Sequence, residues 1–513
     1  MIKMKKNEDL NTRPSQKEMT ELENLHKLNQ FDSLEDKTRK LIENHPRVSI
    51  LYNILGIALQ KKGDFNESIL NFNQAINIQP NFDLAHNNLG NVLKETGKFE
   101  EAMISYQQAI KLNPNYAEAY SNLGNIFRTL GKFEEAIASH QQAIKLNPNY
   151  AEAYSNLGNA LGDLGKFEEA ITNYQQALKR YPKYTFFDYN EALIRLTLGE
   201  FDVGWKKYEY RFGATKVSFM RYQTDKLWDG NYLDGTLLVW AEQGVGDHIL
   251  FASMLTDLRK YAKNIILEID KRLVNLCKRY YEKINFSNIK VINLEKKLVS
   301  NFDKHIALGS LGQYLRKTKK SFNTTPKKYL LSSPAKEKEL RNKFFVNKKF
   351  KVGISWKSLN EKRKHRNIDL TQMLPILSNP HCDFINLQFG KFDEDLQQLQ
   401  SKHGIKIRTI KEIDNYNNIE DLAALINCLD LVINIQNSNA DLAAALGQNT
   451  WVMVTKYGVV EWRWTINEKK SIWYPTTRLF RQERAGDWNS VINNINMDLK
   501  QLINHHEFNL SKI

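Results

Sequence analysis

Two rhythms of apolar and polar residues divide the chain. From about residue 16 to residue 212, apolar positions keep helical spacing inside a longer period. Gly63, Gly97, Gly131, Gly165 and Gly199 stand 34 residues apart, and so do Pro80, Pro114, Pro148 and Pro182. Gly56, Gly90, Gly124 and Gly158 keep the same step, and Ala192 continues it. Each period predicts two helices. The first ends at the glycine before Lys-Phe-Glu-Glu-Ala, and the second ends at Asn-Pro, because proline cannot continue a helix. Gly90, Gly124, Ala102, Ala136 and Ala170 are small where paired helices must approach closely. Further along, short apolar runs alternate with helical patterns, the signature of parallel strands flanked by helices.

The 34-residue unit resembles the tetratricopeptide repeat, with the closest copies between Asn81 and Pro182. Pro46 precedes Pro80 by the same step and Phe31 matches Phe65, so a degraded first unit is expected over residues 16–46. An atypical last unit is expected from Lys183 to about Phe212, as end units must cap a stack. The α-solenoid is thus placed at 16–212, after a polar, aperiodic stretch, 1–15, expected to be disordered. Asn88, Asn122, Asn156 and Asn190 occupy one equivalent place on the first helices. Their amides would either line a groove as a peptide-binding ladder or bridge neighbouring repeats. Resemblance to repeat proteins that attach sugars to proteins implies the ladder, and a protein or peptide acceptor as partner.

After a linker at 213–235, the run Leu237–Ala241 reads as a buried strand. Glu242-Gln243-Gly244-Val245-Gly246 makes a glycine turn, and Asp247 opens a helix through Leu250, Met254 and Leu258. Ligands of open α/β sheets bind beyond the carboxyl ends of strands, so this turn should face a cleft. Asp247 is suited both to cap the helix and to act as a base. Strands are predicted at 264–269, 290–294 and 304–308, with a helix at 271–281, giving a first Rossmann-like lobe over 236–335. A lysine-rich connection follows. A second lobe, 350–505, is predicted from strands at 350–356, 384–388, 430–435 and 450–454 and helices at 369–377, 392–400 and 440–446.

Composition narrows the function classes. A chain of 513 residues exceeds a single core. The balance of 73 Lys+Arg against 58 Asp+Glu, a net +15, favours anionic partners such as nucleotides, acidic proteins or headgroups. The lysines are scattered, without a basic stripe and interleaved aromatics, which argues against nucleic acid. Cys277, Cys382 and Cys428 are far apart, which fits a reducing compartment and a cytoplasmic protein. No apolar run reaches the roughly 18 residues of a membrane span, although peripheral association is compatible with the charge. No Asp-x-Asp follows a strand end, and no metal is expected.

The α/β part, through Glu242–Asp247, Gly353-Ile354-Ser355-Trp356-Lys357, Asn386-Leu387-Gln388, Ala440–Gly447, Trp462-Arg463-Trp464, Trp473-Tyr474-Pro475 and Arg478–Gln482, resembles bacterial glycosyltransferases of the two-Rossmann, B-type fold, the heptosyltransferase-like group. In overall layout the chain also resembles protein O-linked N-acetylglucosamine transferases. The resemblance implies that Asp247 is the general base, that a nucleotide sugar is the co-substrate without any resident cofactor, and that the second lobe holds it. Lys357, Arg366, Gln388, Gln436, Asn437, Ser438, Asn439 and Asp441 are the residues so implied, with Lys362, Arg363 and Lys364 crowding the same loop as Arg366. The group usually carries Asp-Thr at the places of Gln436-Asn437 and a histidine at that of Asp441, so the donor site is altered here. Three functions follow: a protein glycosyltransferase, a catalytically dead adaptor with a nucleotide-sensing domain, or a lipid or polysaccharide transferase. The aromatic tail, Trp462, Trp464, Trp473, Tyr474 and Trp488, is read as packing between lobes.

Overall fold

A computed structural model describes residues 13–510 apart from 215–218, 223, 359–365, 457, 458, 467 and 485. The chain forms two compact units, Met1–Pro182 and Lys183–Ile513.

The first unit consists of helix pairs. Gln16–Lys27 and Phe31–Asn44 begin the series, followed by Ser49–Lys62 with Phe65–Ile78, Asp83–Glu95 with Phe99–Leu112, Ala117–Thr129 with Phe133–Leu146, and Ala151–Asp163 with Phe167–Arg180. The expected disorder of residues 1–15 lies outside the described residues up to residue 12, but it extends too far. Ser15 caps the first helix, its Oγ accepting from the Glu18 N–H at 3.3 Å while the Glu18 carboxylate accepts from the Ser15 N–H at 2.7 Å. First helices end as the glycines demand: Gly63 lies at φ +93°, and the Asp64 N–H returns to the Leu59 carbonyl at 2.9 Å. Gly90 is small for another reason. A Cβ there would sit 2.6 Å from the ring of the buried Tyr106 on the paired helix.

The second unit opens with a further helix pair, Phe186–Leu198 and Phe201–Tyr208, so the last expected repeat groups with the α/β part. Aromatic packing is the reason. Trp205 lies edge-on to Trp462 at 5.4 Å between centroids, to Tyr208 at 5.5 Å and to Trp473 at 6.1 Å, and its Nε1–H donates to the Arg316 carbonyl at 2.9 Å. Trp462 also stacks on Phe251 of the first lobe, at 6.0 Å and 22°.

Two parallel sheets follow, an arrangement compatible with Rossmann-like lobes. The first has the order β3-β2-β1-β4, from β1 (Leu233–Trp240), β2 (Ala262–Ile269), β3 (Ile289–Asn293) and β4 (Lys304–Ala307). The second has the order β6-β5-β7-β8-β9, from β5 (Phe350–Ser355), β6 (Cys382–Asn386), β7 (Leu431–Ile435), β8 (Thr450–Val454) and β9 (Thr477–Arg481). Strands β1 and β5 are flanked on both sides, so the turns that leave them sit within the sheets, where a cleft would lie.

Several elements differ from expectation. The helix after β1 stops at Ala252, and a 3-10 segment, Leu255–Lys260, replaces its continuation. The helix expected at 369–377 shrinks to Leu374–Leu377, because the Asp369 carboxylate binds the N–H and hydroxyl of Thr371, each at 2.7 Å, in a competing turn. The lysine-rich connection contains a helix, Pro334–Phe344, with Ser333 as its cap and proline at its start. Helices Ile419–Asn427 and Asn489–Leu510 and strand β9 were not foreseen.

Candidate functional site

The turn leaving β1 places Asp247 third in the helix Val245–Ala252, not at its cap, which is Gly244. Its Oδ2 reaches back to accept from the Gly244 N–H at 3.3 Å, so the carboxylate closes the turn from inside the helix. Its Oδ1 is taken by Nη2 of Arg463, from the 3-10 turn Val459–Trp464. The same guanidinium donates through Nη1 to Asp441 Oδ2 at 3.2 Å, and the Tyr474 hydroxyl donates to Asp441 Oδ1 at 2.7 Å. Asp441 stands in the first turn of the helix Ser438–Ala445. Little room is left where the two helices meet, since a Cβ on Gly246 would lie 3.0 Å from Asp441 Oδ2.

This cluster sets its own electrostatics. Burial pushes the Asp441 carboxyl up to about 6, against the pull of Arg463 and Tyr474, and the Asp247 charge adds to the rise. Burial works against charge on Arg463, yet the two carboxylates hold its guanidinium above the usual arginine range. Arg463 thus balances the Asp441 charge.

Below the turn lies a second buried network. Arg211, wholly buried, donates from Nε and Nη2 to Glu242 Oε1 at 3.1 and 2.9 Å, from Nη1 to Glu209 at 2.8 Å, and from Nη2 to Ser310 Oγ at 2.7 Å. Burial raises the Glu242 carboxyl while Arg211 draws it down. Gln243 has φ +67°, and its Nε2 donates to the Tyr208 hydroxyl at 3.1 Å. The helix pair that opens this unit thus fixes the backbone from which Asp247 projects.

The residues expected to hold a donor are mostly committed to the protein. Lys357 pairs with Asp395 at 2.6 Å, and Trp356 Nε1–H donates to the same carboxylate at 2.9 Å. Gln388 staples the chain: its Oε1 accepts from the Trp356 and Lys357 N–H groups at 3.0 and 2.9 Å, and its Nε2 donates to the carbonyls of Lys357 and Phe389 at 3.1 and 2.8 Å. No amide valence is left over. Asn437 caps the helix, accepting from the Ala440 N–H at 3.1 Å and donating to Ser355 Oγ at 2.7 Å. Asn439 donates to the Leu387 carbonyl at 2.6 Å, and Gln436 Oε1 accepts from the N–H and hydroxyl of Thr455, both at 3.1 Å. Arg366 is buried, with Nη1 donating to the Gln436 carbonyl at 3.3 Å. Lys362, Arg363 and Lys364 lie outside the described residues.

Ser438 and Asn439 do border a cleft, together with Val245 and Ile249 from the first lobe. Its far wall holds residues that the sequence did not single out. Phe389 and Tyr416 lie 5.5 Å apart between centroids at 33°, and the Arg272 guanidinium stands 5.8 Å from the Tyr416 ring while donating to the Tyr416 carbonyl at 3.2 Å. The Arg272 charge is balanced within the protein, its Nη2 lying 2.8 Å from Asp270 Oδ2.

In the repeats, the asparagine amides bridge neighbours. Asn88 donates to Asn53 at 3.0 Å, Asn122 to Asn87 at 3.1 Å, and Asn156 to Ser121 at 3.3 Å. All three stay half-buried, whereas Asn190 is buried and belongs to the second unit. Bridging, one of the two expected roles, is what these contacts show.

Among the described residues, no group of three His, Cys, Asp or Glu could hold a metal ion, and no helix is long and apolar enough to cross a membrane.

Comparison with known proteins finds tetratricopeptide repeats. Family models described as TPR repeat match residues 56–97, 90–127 and 124–165, and one described as Tetratricopeptide repeat matches 151–184. Among curated proteins, the chain is similar to Protein FlbA of Caulobacter vibrioides, 28% identical over 323 residues, or 60% of this chain and 54% of that protein. The chain thus spans about half the length of this relative. Among solved structures, the crystal structure of MamA protein is 24% identical, covering 32% of this chain and 91% of its own, at a TM-score of 0.29. A thermophilic TPR protein of Thermus thermophilus is 22% identical over 35% of this chain and 98% of its own, at a TM-score of 0.32.

Proposed function

We propose that the second unit is an inverting glycosyltransferase of the B-type, two-Rossmann architecture. It moves a sugar from a nucleotide-sugar donor to a hydroxyl, and the repeats select a protein or peptide acceptor. The observation that carries this reading is the convergence of Asp247 and the first turn of the helix Ser438–Ala445 on one guanidinium. A general base and a helix N-terminus able to meet a phosphate then lie a single side chain apart. In the transfer, the acceptor oxygen bonds to the anomeric carbon as the bond from that carbon to the diphosphate oxygen breaks. The diphosphate leaves with the electron pair, and the hydroxyl proton passes to Asp247.

Isotope-labelled nucleotide sugars offered as a panel test the proposal, with hydrolysis and transfer to protein, glycan and lipid acceptors as readouts. Turnover of one donor with label on protein supports it, and label on lipid or polysaccharide moves the acceptor class. One observation favours the catalytically silent adaptor instead: Asp247 is already hydrogen-bonded through both oxygens, one of them to a guanidinium. Peptide binding by the repeats without turnover of any donor would establish that reading.

A further inference from the structure

We propose that the open edge of β3 and the cavity beside it bind an extended, acidic peptide segment, which joins the first sheet as a further strand. The proposal is independent of sugar transfer and holds whether or not the unit is a transferase.

Strand β3 ends the order β3-β2-β1-β4, so one side of it has no strand partner among the described residues. Parallel pairing uses alternate residues of a strand. The Ile265 N–H donates to the Asn288 carbonyl and the Leu294 N–H to the Ile269 carbonyl, both at 2.8 Å, which fixes the phase. The peptide groups of Lys290 and Ile292 turn toward β2, and those of Ile289, Val291 and Asn293 turn outward. Donors and acceptors at this spacing are what an added peptide backbone satisfies. A cavity of about 440 Å³, a ligand-sized volume, adjoins the edge. Val291 and Ile292 point to opposite faces of the sheet, yet both line it, so the cavity wraps the edge instead of lying on one face. Val291 is 5% exposed, and a partner's backbone would meet its outward N–H and carbonyl inside the cavity.

The walls suit an apolar side chain carried by that backbone. Val274 lines the cavity from the helix Val274–Lys283, and Leu298 and Val299 line it from the loop after β3, where Leu298 stays 51% exposed. That loop is held in shape: Arg221, paired with the buried Glu268, donates to the Glu295 carbonyl, and the Val299 N–H donates to the Tyr222 hydroxyl at 3.2 Å. Charge then selects the occupant. Lys278 and Lys297 line the cavity, Lys290 lies on the strand and Lys296 in the loop, and none of these four exposed side chains has an ion pair among the described residues. Lysine on an edge deters pairing with a second copy of the same strand, and by the same charge it admits an acidic one.

Fluorescence anisotropy on the full chain tests this with a labelled hexapeptide of alternating glutamate and valine. The controls are the lysine–valine peptide of the same length and the glutamate–valine peptide N-methylated throughout, which cannot donate to the edge. The acidic peptide should bind, and both controls should bind at least about tenfold more weakly. Lys278→Glu combined with Lys297→Glu should weaken the acidic peptide at least about fivefold, and more at low salt. Leu298→Asp should weaken it at every salt concentration. All three positions are exposed, so the variants should fold, which circular dichroism checks. In saturating peptide, amide exchange at Val291 and Asn293 should slow at least about tenfold. Absence of binding at millimolar peptide, or equal binding of either control, overturns the proposal. Affinity unchanged by the charge reversal also overturns it and places the peptide elsewhere, on the repeats. Binding of decanoate in place of the peptide overturns it too, and makes the cavity an acyl pocket.

Discussion

In the solenoid, the bonds between neighbouring repeats span one period: Asn88 to Asn53 and Asn122 to Asn87 are each 35 residues apart. In the α/β unit, Arg463 meets Asp247 across 216 residues, and Trp205 meets Arg316 across 111. Stability in the first unit is therefore a sum of near-neighbour terms. In the second it depends on a few buried junctions, each joining distant stretches of chain. Damage should stay local in one unit and spread in the other.

The largest expected effect tests that contrast. Arg211→Ala strands the buried Glu242 carboxylate and should cost the α/β unit about 3–5 kcal/mol. Urea denaturation followed by tryptophan fluorescence reads this unit alone, since all nine tryptophans lie between Trp205 and Trp488. Helical ellipticity should retain a transition for the repeats at its wild-type midpoint. A matching fall of both transitions would erase the distinction drawn between the units. Gly90→Ala is the counterpart in the repeats. Its Cβ, 2.6 Å from Tyr106, should cost about 1–3 kcal/mol, seen in the ellipticity transition and absent from the fluorescence one.

This difference also explains what could be read in the chain beforehand. The repeats were legible because each contact recurs: glycines at φ +79°, +76° and +81° sit at Gly97, Gly131 and Gly165 as the 34-residue step required. The parallel strands of the α/β lobes followed from alternation, and Asp247 from its glycine turn. In the sequence Arg463 stands out only as part of a tryptophan-flanked motif. Nothing local marks it, because its meaning lies in two carboxylates that folding brings to it. The backbone bonds made by the donor-side amides were hidden for a related reason. Gln388 and Asn437 stand at strand ends, where a ligand would pass, but those ends also carry backbone N–H groups and carbonyls that need partners. Short-range polar competition likewise removed most of the helix expected at 369–377.

A smaller effect follows from Asp441. Its carboxyl, up at about 6, lies above an unfolded aspartate near 3.9, so between these values the folded chain holds a proton that the unfolded chain has lost. Stability from this group therefore falls as pH rises through that window. Arg463, Tyr474, Asp247 and Tyr329 all face it and stay in place in Asp441→Asn. The melting temperature of that variant, relative to wild type, should climb by roughly a few degrees from pH 4.5 to pH 7.5. A difference that does not change with pH would remove Asp441 from the account. Least of all, Asn122→Ala with Asn156→Ala should cost about 0.5–1.5 kcal/mol per lost bridge. Weaker binding of protein acceptors, with donor hydrolysis unchanged, would add a ladder role to the bridging one.

The central claim is that Asp247 takes the acceptor's proton. Asp247→Asn keeps an oxygen that can accept from the Gly244 N–H, and it removes the base. Transfer from the labelled donor, measured at a temperature where the variant's melting curve shows it folded, should fall about 10²-fold or more. Transfer at the wild-type rate would contradict the claim outright.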